Sequence, residues 1–418
     1  MVVSRSPHVV YRRAVGLPQG TGQVPVRLGV GAPRWRSEGS GGDRQASRPA
    51  RAALTSLDVS ESELSDPDAL IPWIVERCLL AAAPLEFRTF LVAVRAGGDA
   101  KRLPEAQLLA WKGAIKRGVG LALALAWEDQ GRTCDFERPE LRLTYDQQRQ
   151  RVERVVRPVW IYGRYRKLVR ELPQTQARWR CPACRGAGCP PCEGTGRRYP
   201  TALEDLLGAP VARALDGRGY TLHGMGREDV DVRCLGTGRP FVLQVDSPRR
   251  RSCDLEELAA TVGAESAGRA EVVGALRWTH EGLVARLKGW EAPKTYRAVC
   301  ALDAPVSRER IADLAARLTG ATLEQRTPAR VARRRTDKVR RRRVLQFEVA
   351  PTGPADRFEV QIQAESGTYI KELISGDDGR TSPSVAGLLG VGALCASLDV
   401  LEVGCTDEEL LDDCNQRS

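Results

Sequence analysis

The sequence lacks several features that mark large classes of protein. No stretch approaches the roughly 20 consecutive apolar residues that a membrane-spanning helix needs, and the longest apolar run is Val119–Trp127. The basic N-terminal residues are not followed by the apolar segment of a secretory signal. No glycine-rich loop ending in Gly-Lys-Ser or Gly-Lys-Thr is present. These absences argue against a membrane protein, a secreted protein and a P-loop helicase or kinase, and we expect a cytoplasmic location.

Cysteine, by contrast, is plentiful, with 12 residues in a chain of 418. Without an export signal, this number favours reduced thiols and metal ligands over a disulfide scaffold. Two CxxC pairs among glycines, Cys181 with Cys184 and Cys189 with Cys192, could close the tetrahedral shell of one Zn²⁺. We therefore predict a structural zinc module at residues 171–200. Four free thiols, or two copies of the motif sharing metal across a dimer, remain as alternatives.

Positive charge is concentrated in two segments of a chain whose net charge is +11. Residues 1–55 are rich in Gly, Ser, Pro and Arg, which predicts a basic disordered tail. Residues 326–343 carry ten basic side chains and one acid, and so much like charge in a loop favours a polyanionic partner. We predict that this basic segment contacts RNA or DNA phosphates. The arginines proposed for that contact are Arg330, Arg333, Arg334 and Arg335.

Hydrophobic periodicity divides the rest of the chain into two folded parts. Helix signals near Leu70 and at Leu108–Lys116, with strand signals at Phe90–Val94, Glu140–Thr144 and Val156–Tyr162, predict a small α/β module at 56–170. After residue 200, strands outnumber helices and hairpins outnumber crossovers. An α+β domain with a mainly antiparallel sheet is therefore predicted at 201–418.

Local signals within this second part predict individual elements. Asp254 and Ser307 stand where a side chain would cap a helix. The predicted strands are Phe241–Val245, Glu271–Leu276, Leu283–Leu287, Tyr296–Leu302, Val344–Val349 and Phe358–Gln363.

Three further segments carry side chains suited to chemistry. His223–Arg233 holds three carboxylates within four positions, flanked by arginines, which suits either perturbed acidity or a solvated turn. Lys294–Val299 places a tyrosine at the start of an apolar strand, as a core aromatic or as a platform for a base. Gly367–Thr381 places Lys371 among apolar residues, where it either snorkels or pairs with a distant carboxylate.

Taken in order, these motifs resemble those of the archaeal tRNA pseudouridine synthases of the Pus-ten type. The likeness extends over about residues 70–410. Its segments are Asp135–Pro139, Arg157–Lys167, His223–Leu243, Gln325–Pro328, Gly367–Thr381 and Leu398–Leu401. The resemblance implies a THUMP-type RNA-binding domain followed by a pseudouridine synthase domain. It also implies conversion of uridines 54 and 55 in the TΨC arm of tRNA to pseudouridine. This reaction is redox-neutral, so no catalytic cofactor is expected, and no obligate protein partner is evident.

The resemblance also implies residue roles. Asp229 falls at the aspartate of the Gly-Arg-x-Asp motif and would be the nucleophile. Tyr296 would stack on the uracil and assist removal of the C5 proton, and Lys371 would pair with Asp229. Substrate-binding roles would fall to Arg227, Ile370 and Leu373. One departure is that no CxxC precedes Cys181, whereas family members often carry paired cysteines near the start of the N-terminal domain.

Two other classes of protein fit part of the pattern. A non-catalytic RNA-binding protein would share the basic segments and the zinc module, but it would not need Asp229, Tyr296 and Lys371 together. A chaperone-like zinc protein would share the CxxCxGxG unit, but it would carry several such units and a helical J-domain. We therefore expect the enzyme.

Overall fold

The computed structural model describes residues 66–176, 179–332, 335–350 and 356–411. The predicted tail at 1–55 lies outside these ranges, as do Arg333 and Arg334 of the basic segment. No helix within the described ranges combines the length and apolar character needed to cross a bilayer.

Two helices pack on a four-stranded sheet in the N-terminal part. The elements are α1 (Pro67–Ala82), β1 (Thr89–Arg95), α2 (Glu105–Ala126), β2 (Thr133–Cys134), β3 (Leu141–Asp146) and β4 (Arg151–Val156). Asp66 caps α1 by accepting a hydrogen bond from the backbone N–H of Asp68, and a proline follows in the first turn. The strand order is β2-β1-β3-β4, with β1 parallel to both its neighbours. The helices and strands predicted before residue 145 are confirmed.

The second part is organised around a ten-stranded sheet. Its elements are β5 (Val159–Lys167), α3 (Leu203–Ala214), β6 (Gly219–Gly224), β7 (Arg233–Asp246), α4 (Leu255–Ser266), β8 (Ala270–Thr279), α5 (Glu281–Gly289), β9 (Lys294–Leu302), α6 (Arg308–Leu318), β10 (Thr322–Arg326), β11 (Val339–Ala350), β12 (Arg357–Ala364), α7 (Ile370–Ser375), β13 (Thr381–Ser382), α8 (Val385–Leu389), β14 (Ala393–Val403) and α9 (Asp407–Leu411). The order is β13-β10-β11-β12-β9-β14-β7-β5-β8, and β6 pairs with β7.

This sheet is mixed, which corrects the expectation of a mainly antiparallel one. Most neighbours pair antiparallel, but β14 runs parallel to β7 where Asp399 and Val400 meet Arg233 and Cys234. The parallel contact joins the end of the chain to the strand that follows the carboxylate-rich motif. Hairpin signals in the sequence could not reveal it, because the paired residues Arg233 and Asp399 are 166 positions apart.

Two local predictions were wrong. Leu283–Leu287, predicted as a strand, lies in α5, where both leucines are buried on one helix face because they are four residues apart. The strand predicted at Val156–Tyr162 begins at Val159 and belongs to the second sheet, between β7 and β8, rather than to the N-terminal part. Periodicity identifies a strand but not the strand with which it pairs.

The predicted caps are confirmed. The Asp254 carboxylate accepts hydrogen bonds from the backbone N–H groups of Glu256 and Glu257, and Ser307 Oγ accepts one from that of Arg310. Alternation along β9 then places Lys294 and Tyr296 on the same buried side of the sheet as Ala298. This alternation positions two side chains at the site described below.

Candidate active site and metal centre

Segments distant in sequence meet at a cleft of about 290 Å³. The loop between β6 and β7 contributes Gly226–Asp229, and β9 contributes Lys294 and Tyr296. The β10–β11 connection contributes Arg330, and the approach to α7 contributes the segment that ends at Lys371. The cleft therefore gathers motif residues that the sequence singled out, and its cations and carboxylates are in direct contact.

Asp229 lies in this cleft as a half-exposed carboxylate held by two cations. Its Oδ2 is 2.8 Å from Arg330 Nη1 and 3.4 Å from Lys371 Nζ. Arg330 is fixed in turn by the buried carboxylate of Glu372, with Nε 2.6 Å from Oε1. Paired in this way, Asp229 still has 41 % of its side chain exposed.

Lys371 has a closer partner than the one implied by the family resemblance. Its Nζ lies 2.8 and 2.7 Å from the two carboxylate oxygens of Asp231. Although burial opposes ionisation of Asp231, the hydrogen bond and charge of Lys371 hold the pKa of that carboxyl below its ordinary value. Lys371 thus bridges two aspartates, and the shortest contact to Asp229 comes from Arg330. Sequence analysis had assigned Arg330 to RNA phosphate.

A buried polar network supports the loop that carries Asp229. The Lys167 ammonium, which is fully buried, donates to the carbonyl oxygens of Asp229 and Val230, each at 3.1 Å. Glu228 points inward, and its carboxylate lies 2.8 Å from Arg239 Nε. Tyr165 Oη donates to the same carboxylate at 3.0 Å. The loop is therefore anchored on both sides of the residue that faces the cleft.

Two side chains of β9, Lys294 and Tyr296, also line the cleft. Burial raises the pKa of Tyr296 to about 12, so its phenol is neutral near pH 7. Burial, reinforced by the charge of Arg239, lowers the pKa of Lys294 to about 8. The Lys294 ammonium donates to the carbonyl of Ala292 at 3.1 Å and to Ser366 Oγ at 3.2 Å.

The remaining predicted residues divide between cleft and core. Arg227, Arg335 and Ile370 line the cleft, with Arg227 exposed to solvent. Leu373 is fully buried and packs in the core, away from the lining. The apolar wall beside Ile370 is completed by Leu398 and Val400 from β14.

A cluster of arginines that the sequence did not reveal flanks the cleft. The buried Asp399 carboxylate contacts Arg170 at 2.7 Å, Arg233 at 2.7 Å and Arg297 at 3.3 Å. Arg170 also donates to the carbonyl of Asp231, at 2.7 Å, which links the cluster to the cleft. Three cations on one carboxylate leave a surplus of positive charge. Because these residues come from four separate segments, no local pattern could have grouped them.

The four cysteines of the two CxxC pairs converge within a single chain, their Sγ atoms all within 4.8 Å of one another. The Sγ atoms of Cys181 and Cys189, and of Cys184 and Cys192, are 3.8 Å apart. Tetrahedral Zn²⁺ with bonds of about 2.3 Å places its sulfurs about 3.8 Å apart, so the spacing fits one ion. Burial opposes ionisation of Cys192, but hydrogen bonds from backbone N–H groups lower its pKa to about 6. Thiolates of this kind can hold a metal.

Comparison with known proteins identifies the class of enzyme. The family model "Pus10, C-terminal" matches residues 160–404. A protein of Methanothermobacter marburgensis named "tRNA pseudouridine synthase Pus10" is 45 % identical over 327 residues, which cover 77 % of this chain and 79 % of that protein. A Halorubrum lacusprofundi protein of the same name is 40 % identical over 349 residues, 80 % of each chain.

The chain therefore belongs to the Pus10 family of pseudouridine synthases, which are isomerases. The resemblance found in the sequence is confirmed. A solved chain from a "Cbf5-Nop10-Gar1 Complex" overlaps 47 % of this chain and 44 % of its own length, with 22 % identity and a TM-score of 0.30. A score this low supports no argument about the present protein.

Sequence reasoning missed four residues of the site. Glu228, Arg239 and Lys167 are charged yet fully or almost fully buried, which no periodicity predicts. Lys294 stands two residues before Tyr296. Because residues two apart on a strand face the same side of the sheet, this spacing is the signal that could have predicted Lys294 beside Tyr296.

Proposed function

We propose that this protein converts uridines 54 and 55 in the TΨC arm of tRNA to pseudouridine, with Asp229 as the nucleophile. The observation that carries the proposal is the half-exposed Asp229 carboxylate, which is held by Arg330 and Lys371 in a cleft that Tyr296 also lines. Relatives at 40 and 45 % identity carry the name "tRNA pseudouridine synthase Pus10", which supports pseudouridine formation in tRNA.

The reaction breaks the bond between N1 of uracil and C1′ of ribose and forms a bond from C5 to C1′. An ionised Asp229 can attack C1′ directly, or it can take the C2′ proton to give a glycal. In both routes the bonding electron pair leaves with the uracil ring, which then rotates. In either role, Arg330 and Lys371 lie beside the reacting carboxylate.

The aromatic and cationic walls suit a nucleotide that has left its base stack. A neutral Tyr296 offers its face to the uracil, and its pKa of about 12 favours stacking over service as a resting base. Arg227, exposed at the cleft, would hold the flipped nucleotide. Ile370, Leu398 and Val400 would exclude water from the ring.

Further RNA contacts would lie outside the cleft. We propose that the N-terminal part is a THUMP-like RNA-binding domain and that the Cys181–Cys192 cluster holds a structural zinc ion. The arginines around Asp399 and those at the start of β11 would contact phosphates of the substrate. These surfaces would orient the TΨC arm but would take no part in the chemical step.

The proposal is tested on an unmodified tRNA transcript, mapped for pseudouridine by carbodiimide treatment and primer extension. The wild-type protein should produce new stops in the TΨC arm, and Asp229→Ala should lose activity by at least about 10⁴-fold. Asp231→Asn is the matched control, because it leaves Asp229 paired with Arg330. Stops elsewhere in the tRNA would overturn the site assignment, and stops that survive in Asp229→Ala would overturn the nucleophile.

A further inference from the structure

Lys294 is a buried cation of the cleft, whereas Arg227 and Arg335, which also line the cleft without a carboxylate partner among the described residues, are exposed. Arg330 forms ion pairs with Asp229 and Glu372. Lys371 forms ion pairs with Asp231 and Asp229. Arg239 is committed to Glu228. Within the described ranges, by contrast, no carboxylate lies within ion-pair distance of Lys294, whose ammonium donates to a carbonyl and a hydroxyl.

The ammonium of Lys294 is also incompletely satisfied. It carries three N–H donors, and contacts from the described residues account for two of them. Only 7 % of the residue is exposed, so water cannot freely supply the third acceptor. A buried cation without a counter-charge is unfavourable for folding, which indicates that something other than stability places it there.

Lys294 lies against the loop that carries the nucleophile. A Cβ atom added to Gly226, three residues before Asp229, would stand 3.8 Å from Lys294 Cε. Gly226 has a φ of +79°, and the absence of a side chain there leaves the lysine close to the loop backbone. Lys294 and Tyr296 both line the cleft from the same side of β9.

The proposed reaction creates a transient negative charge that none of the paired cations is free to neutralise. When the N1–C1′ bond breaks, its electron pair stays on the ring as a uracil anion, delocalised over N1 and the carbonyl oxygens. Asp229 meanwhile either bonds to C1′ or accepts the C2′ proton. When C5 bonds to C1′, the Asp229–C1′ bond breaks and its electron pair returns to the carboxylate, or, in the glycal route, Asp229 returns its proton to C2′. The ring is then neutral, and loss of the C5 proton with gain of a proton at N1 completes pseudouridine.

We propose that Lys294 is a catalytic residue that binds a carbonyl oxygen of the detached uracil and stabilises its negative charge. The inference rests on the proposed function and deepens it. A preorganised donor in a water-poor site is worth most where charge develops during the reaction, as in an oxyanion hole. The unused N–H donor and the missing counter-ion are the two features that such a role requires.

The first test compares Lys294→Met and Lys294→Arg in single-turnover assays with saturating protein and tRNA transcript. Lys294→Met should lower the rate of pseudouridine formation by about 100-fold, as expected for the loss of one such donor. Lys294→Arg keeps the charge and should stay within about 10-fold of wild type. The exposed Lys288 supplies a matched control, since Lys288→Met removes a lysine outside the cleft and should leave the rate unchanged.

Binding and stability measurements separate this role from two others. The tRNA dissociation constant of Lys294→Met should stay within about 2-fold of wild type, because the negative charge arises only after binding. A 10-fold weaker affinity for tRNA with an unchanged rate of pseudouridine formation would indicate that Lys294 binds a phosphate of the RNA, and it would overturn the proposal. We expect Lys294→Met to unfold at or above the midpoint temperature of the wild type. A much lower midpoint with an unchanged rate of pseudouridine formation would show that the role of Lys294 is structural and would overturn the proposal.

A substrate with a better leaving group sharpens the test. In a transcript containing 5-fluorouridine the detached ring is a weaker base and needs less stabilisation, so the ratio of wild-type to Lys294→Met cleavage rates should shrink to below about 10-fold. An unchanged ratio would overturn the proposal. If wild-type protein forms no pseudouridine in tRNA, the proposed function fails first. If wild type and Lys294→Met are equally active, this inference alone fails.

Discussion

The four-cysteine cluster and the carboxylate cleft are built in opposite ways. The cluster takes all its ligands from one short segment, Cys181–Cys192, and backbone N–H groups of that segment stabilise its sulfurs. The cleft takes its charges from positions as far apart as Asp229 and Arg330, on elements joined through the ten-stranded sheet. A substitution in the cluster should therefore affect the metal site alone. A substitution in the residues that support the cleft should affect both the stability of the protein and its activity.

The largest expected effect is on the metal content of the cluster. Cys192→Ser removes one of four ligands and should abolish stoichiometric zinc, because a closed tetrahedral site needs all of its thiolates. Elemental analysis of protein purified without chelators should find about one zinc per wild-type chain and far less in the variant. Cys134→Ser, at an exposed scattered thiol, is the control and should keep the metal. Wild-type protein without zinc would contradict the assignment.

The comparison predicts that this loss leaves the cleft working. Single-turnover rates of Cys192→Ser at saturating protein should remain within about 10-fold of wild type, since no ligand of the cluster lines the cleft. A loss as large as that of Asp229→Ala would mean that the two regions are not independent.

A smaller effect, but one on both stability and activity, is expected from Glu228→Gln. This substitution leaves Arg239 buried without its counter-charge and should lower the free energy of unfolding by about 3–5 kcal/mol. Denaturant titration measures that loss. Because Glu228 adjoins Asp229, activity should fall even under conditions where the variant is folded. As a matched control, Glu348→Gln on β11 changes an exposed carboxylate and should alter stability by less than about 1 kcal/mol. Equal stability of the two variants would refute the anchoring role of Glu228.

The smallest effect is expected at the surface of the basic segment. The side chain of Arg341 is 76 % exposed and pairs with an exposed Glu324, so Arg341→Ser should change stability by less than about 1 kcal/mol. If Arg341 contacts a phosphate, the slope of log affinity for tRNA against log salt should become shallower by about 0.7–0.9. Arg213→Ser, which removes an exposed arginine of α3, is the control for net charge. An unchanged slope would exclude Arg341 from the RNA contact.

Only part of the site could be predicted from the sequence. The roles proposed for Asp229, Tyr296 and Lys371 came from motif resemblance, and the structure brings these three residues to one cleft. The partner of Asp229 was missed because Arg330 stands in a run of like charges, where each arginine looks equally exposed. Leu373, expected to wall the pocket, is in the core because α7 turns it away from the cleft lined by Ile370.

The sequence by itself determined what depends on near neighbours. The CxxC spacing determined the convergence of four thiols, the caps at Asp254 and Ser307 determined where two helices begin, and the order of the motifs determined the family. Tertiary structure alone decided which charges are buried and which are paired. A charge acquires its partner, its exposure and its pKa from elements brought together by long-range strand pairing, and local sequence does not encode that pairing. Lys294 is the clearest case, since only the folded protein shows that none of the described carboxylates pairs with it.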